Sequence, residues 1–185
     1  MISPPYTPFA EHEVRHALGL TRQAYVQAVR SGALARSVHF DCRVSPTTAL
    51  HSLVDVVRFD AIRGNAPERI PRTGFAKQCD LWLDELCGMD DWEELGRIAI
   101  TGDVRKLMRL VLPADTAPVN YASPANWHKE LTVLAVVVNS WCRCYRALHE
   151  MLVADDVRCN AQCFGEGLSS GRSGTKLSQL DPLAA

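Results

Sequence analysis

Apolar residues fall at Val14, Ala17 and Leu18 and again at Ala24, Tyr25, Ala28 and Val29, with Gly19, Leu20 and Thr21 lying between the two groups. Spacings of three and four on both sides predict two short helices, each with one face turned inward. Gly19 can take the left-handed backbone that stops the first helix, and Thr21 is a suitable N-cap for the second. Two such helices meeting at a tight turn read as a helix-turn-helix, although a plain helical hairpin has the same punctuation. The apolar set of the second helix leaves Arg22, Gln23, Val26, Gln27 and Arg30 on the opposite side. Arg and Gln side chains bond to phosphates and to base edges in a major groove.

Further along, residues 36–40 and 42–45 are short, partly alternating runs separated at Asp41, the pattern of a β-hairpin. Ser45 and Pro46 then provide a cap and a first-turn proline for a helix with Leu50, Leu53, Val54, Val57 and Phe59 as its apolar stripe. Residues 63–74 hold Gly64, Pro67, Pro71 and Gly74 with little apolar content and read as a linker. Beyond it, Phe75, Cys79, Trp82, Leu83 and Leu86 recur at helical spacing up to a stop at Gly88. Asp90 and Asp91 suit the start of a helix carrying Trp92, Leu95, Ile98 and Ala99. Asp103 caps another with Val104, Leu107, Met108, Val111 and Leu112, ended by Pro113. Ser123 and Pro124 repeat the cap-plus-proline start, and 125–154 can run as one long helix. Leu131, Leu134, Val138, Trp141, Tyr145, Leu148 and Leu152 form its main stripe, and Val133, Val136 and Val137 widen it. The β-branched residues leave a strand over 132–138 open. As a helix, the segment is either the central post of a C-terminal body or half of a dimer interface. The Gly- and Ser-rich stretch from Asn160 has too little apolar content to form a core of its own.

The phrase from Gly19-Leu20-Thr21-Arg22 through Val29-Arg30-Ser31-Gly32-Ala33-Leu34 resembles the opening of excisionase-like and MerR-like winged helix-turn-helix DNA-binding domains. The resemblance spans about residues 10–62. It implies that the second helix enters the major groove and that a two-stranded wing touches the adjacent backbone. Carried over by position, Arg22, Gln23, Gln27 and Arg30 are the reading residues, and Arg36, His39 and Arg43 are wing contacts to phosphate. Thr21 caps the reading helix and presents an amide and a hydroxyl near a phosphate.

Charge agrees with that division. Residues 1–72 carry nine Arg against six acids, whereas 73–157 carry eight basic residues against thirteen acids, within a whole-chain net charge of −1. A weakly basic head on an acidic body fits contact with DNA, but not a protein that coats it. At 47% apolar and 22% charged, the chain has the composition of a soluble globular protein. Its most apolar run, 131–138, is far short of the about 18–20 residues needed to span a bilayer. The first residues lack the basic start and apolar core of a secretory signal, so a cytoplasmic location is expected.

Seven cysteines, an odd number, make a full disulfide framework improbable. Cys142, Cys144, His149, Cys159 and Cys163 could supply zinc ligands. Cys142 and Cys144, however, stand about 200° apart around a helix axis, so inert thiols and no metal are expected. No phosphate loop, dinucleotide fingerprint, HExxH or GxSxG motif occurs. His128 with Glu130 and Cys144 with His149 are poorly spaced for cooperation on one helix, and Asp90, Asp91, Glu93 and Glu94 read as a solvated helix start. Neither a catalytic centre nor a cofactor is expected.

The fold expected is mainly α. A winged helix-turn-helix head with a short β-hairpin covers 1–62, followed by a linker at 63–74, an acidic helical body with one long apolar helix at 75–157, and a flexible tail at 158–185. The function expected is sequence-dependent DNA binding by a homodimeric regulator or accessory factor, of the kind the resembling proteins provide on phages, plasmids and other mobile elements. A protein-binding adaptor or inhibitor acting on a host complex is the alternative from another class.

Overall fold

The computed structural model describes residues 2–4, 6–37, 49–64, 71–112 and 124–169, with side chains of the last helix described over 129–159. Among them are seven helices: α1 (Glu11–Leu18), α2 (Arg22–Arg30), α3 (Leu53–Gly64), α4 (Arg72–Cys87), α5 (Trp92–Thr101), α6 (Val104–Val111) and α7 (Pro124–Ser169). The protein is mainly helical. No strand occurs among the described residues, where β pairing is limited to a single antiparallel bridge between Phe9 and His51. Most of the expected wing, including His39 and Arg43, lies outside the described residues.

The first turn of α1 is closed by the Glu13 carboxylate, which accepts the Ala10 N–H at 2.6 Å. Its far end stops at Gly19, whose φ of 61° is left-handed. Two residues later the Thr21 hydroxyl accepts the Ala24 N–H at 3.2 Å and opens α2. Both helices thus stand where the apolar spacing puts them. The third does not. Residues 49–52 are not helical, and α3 begins at Leu53 rather than after Ser45 and Pro46, which lie outside the described residues. Ser52 caps it reciprocally with Asp55: the Ser52 N–H donates to Asp55 Oδ2 at 2.8 Å, and the Asp55 N–H donates to Ser52 Oγ at 3.2 Å. Two orphan amides are satisfied there, and Leu50 falls outside the helix whose stripe it was expected to join.

By their contacts the residues divide into two compact units, Met1–Met151 and Leu152–Ala185. In the first, α3 and α4 lie against each other, and Arg58 bonds the Asp80 carboxylate through Nε at 2.5 Å and Nη2 at 3.1 Å. Of the expected linker at 63–74, Arg63 and Gly64 end α3 and Arg72, Thr73 and Gly74 begin α4, while 65–70 lie outside the described residues. The side chains of Asp91 and Asp103 cap α5 and α6, accepting from Glu94 N and Lys106 N. The core collects Phe9, Val14, Leu34, Leu53, Val56, Phe75, Leu86, Ile98 and Leu107 with the wide apolar face of α7. On α7, Val133, Leu134, Val137, Val138, Trp141, Cys144, Tyr145 and Leu148 are all buried, so the segment 132–138 is helix and not strand. In the second unit the helical backbone continues to Ser169, past the expected end near Ala154. Val153 and Val157 are exposed there, and Arg158 pairs with Asp155 at 3.5 Å.

Candidate nucleic-acid interface

α2 buries Tyr25 and Ala28 and turns Arg22, Gln23, Gln27 and Arg30 to solvent, with Val26 half-buried between them. These five residues and Ser31 line an open depression of about 860 Å³. The four reading residues expected on this helix therefore share one face, and Thr21 stands at its capped start. Arg36 is also exposed, whereas His39 and Arg43 lie outside the described residues.

Charge on this face is only lightly compensated. Glu11 of α1 places Oε1 3.3 Å from Arg15 Nη1 and 3.5 Å from Arg22 Nε, yet the Arg22 side chain keeps 79% exposure. Among the described residues no acid pairs with Arg30 or Arg36. Among the described residues, the acids after residue 72 that form ion pairs do so elsewhere: Asp80 with Arg58, Glu94 with Arg97 and Lys106, and Asp155 with Arg158.

Two buried polar groups, one of them behind this face, were missed from the sequence. The His51 ring meets Tyr25 Oη through Nε2 at 2.9 Å and the Ala35 carbonyl oxygen through Nδ1 at 2.6 Å, tying α2 to the residues that follow it. Burial holds the His51 pKa below its ordinary value and raises that of Tyr25. The second group is Asp60, almost fully buried on α3. It pairs with Arg143 of α7 and, at 3.6 Å, with Arg63. Arg63 in turn donates to the Leu18 carbonyl at 3.0 Å, closing the end of α1, and lies over the Phe59 ring. The only advance sign of Asp60 is an acid on the same side of α3 as Val56 and Val57.

The other candidate chemistry is dispersed. Cys142 and Cys144 are buried and free, and burial pushes the Cys142 thiol up to about 11 and the Cys144 thiol higher still. His149 stacks on Tyr145 with ring centres 6.0 Å apart. The side chain of His128 and those of Cys42 and Cys163 lie outside the described residues. Asp91 and Glu94 are engaged in the α5 cap and in ion pairs. Comparison with protein-family models, with curated proteins and with solved structures finds no match to this chain.

Proposed function

We propose that this chain is a sequence-dependent DNA-binding protein, a regulator or accessory factor whose α2 reads the major groove. The observation that carries the reading is the outward face of α2, where Arg22, Gln23, Gln27 and Arg30 stand exposed along one open depression. Arg and Gln there can form bidentate bonds to guanine and adenine edges, and Val26 between them offers apolar contact to a thymine methyl. Thr21 and the first amides of α2 suit a phosphate at the groove's rim. In this reading residues 10–62 are a winged helix-turn-helix, with Arg36, His39 and Arg43 on the flanking backbone. A single head of this size has a small footprint, so specific binding at physiological salt calls for two heads, supplied by a homodimer.

Selection from random duplex DNA at two salt concentrations, with the solution mass measured in parallel, tests this. Enrichment of a short motif, as an inverted repeat bound by a dimer, is the expected result. No enrichment together with no salt-dependent retention overturns it in favour of a protein-binding adaptor.

A further inference from the structure

His51 is fully buried, and its backbone is pinned by the two-way bridge to Phe9 at 2.9 and 3.0 Å. Its ring is bonded at both nitrogens, which allows the protons to be counted. The Ala35 carbonyl can only accept, so Nδ1 carries a hydrogen and donates to it. The neutral ring then has a lone pair at Nε2, and the Tyr25 hydroxyl donates to it. One proton lies between Tyr25 Oη and His51 Nε2. A second would make Nε2 a donor and turn the Tyr25 hydroxyl hydrogen away from its acceptor; among the described residues Tyr25 Oη has no other partner. It would also place a charge at a fully buried site.

The groups facing the pair come from α1, from α3 and from the segment after α2. Asp55 in the first turn of α3 favours a charged imidazole, and Arg36, after α2, opposes it. Glu11 of α1 acts on Tyr25, disfavouring its ionised form. Desolvation outweighs them at His51.

We propose that His51 is a proton-operated latch on α2: the neutral ring fixes the outward face of that helix through Tyr25, and protonation releases it. A histidine held below its unfolded value contributes stability that is complete above about pH 6.5 and is lost as the pH falls from there toward the folded value. Across that window the equilibrium constant for opening α2 rises up to about tenfold per pH unit. The consequence for DNA rests on the function proposed above; the latch itself does not.

The test follows the His51 ring by NMR from pH 8 to 5, with hydrogen exchange of the amides at 26–30 corrected for the intrinsic pH dependence of exchange. His51 titrating below 6.5, with α2 protection falling in step, is expected. Titration near 6.5, or a flat protection profile through the His51 transition, overturns the latch. Tyr25→Phe cuts the bond from the helix side, so at pH 8 its α2 should exchange as the unaltered chain does at low pH, with a weaker pH dependence; unchanged protection again overturns the proposal. Retention on a selected duplex should fall through the same transition, and retention that ignores it overturns the regulatory role. No duplex binding at any pH, with the coupled titration intact, overturns the DNA reading and leaves the latch standing.

Discussion

At Gly19 a single residue decides whether α1 and α2 can turn on each other. Its φ of 61° and ψ of 37° let the N–H of Leu20 reach back to the Arg15 carbonyl at 2.9 Å, and a Cβ there would meet no atom within 4 Å. Backbone strain alone therefore sets the cost of a side chain. Gly19→Ala should lower unfolding stability by about 1–2 kcal/mol, and Gly19→Asn by less, because Asn tolerates the left-handed region. Urea melts of the two variants check this; equal losses, or none for Ala, would contradict it. Gly19 and Thr21 are legible in the sequence because each acts on amides within five positions of itself. His51 and Arg63 are not, since their side chains reach partners 26 and 45 positions away, and no local pattern announces such a bond.

Helices are legible where apolar periodicity meets a local stop, as at Gly19, Gly88 and Pro113. The start of α3 is not: Ser45-Pro46 reads as the cap and Ser52-Leu53-Val54-Asp55 is passed over, yet its reciprocal bonds satisfy two amides and open the helix at Leu53. For α7 the β-branched run argues for strand by only a few tenths of a kcal/mol per residue. Burying apolar side chains on several sides of a helix contributes about 1.5–3 kcal/mol each and decides the outcome. The same burial leaves little room where α5 meets α7. A Cβ on Gly96 would collide with the Tyr145 hydroxyl and lie 2.9 Å from its Cζ. Gly96→Ala should cost about 1–3 kcal/mol by overpacking. Combined with Tyr145→Phe, which removes the nearest atom, the added cost of Gly96→Ala should shrink by about 0.5–1 kcal/mol. Thermal melts of the two single variants and the double variant measure that coupling; strict additivity would mean that Tyr145 swings clear and that the close approach does not hold α5 to α7.

Over the whole molecule, a net charge of −1 leaves no general attraction for a polyanion, so any affinity for DNA must come from the local array on and beside α2. Counterion release turns that into a number. Each phosphate neutralised contributes about −0.9 to the slope of log affinity against log salt; on random duplex, where no cognate base edges are read, Arg22 and Arg30 fall back on phosphates and, with Arg36 and Arg43, give about −4 per head. Raising salt from 50 to 200 mM should then weaken binding of one head to random duplex by about 150-fold. Two heads engaged at once would double the slope, which ties the salt titration to the solution mass. Arg22→Ala combined with Arg30→Ala should reduce the slope by about two per head and, because both side chains are exposed, leave the circular-dichroism melt unchanged. Fluorescence anisotropy across the salt series reads the slope directly. Were the double variant to keep the slope of the unaltered chain, the cations that meet DNA would lie elsewhere, and α2 would lose its assignment even if the protein binds.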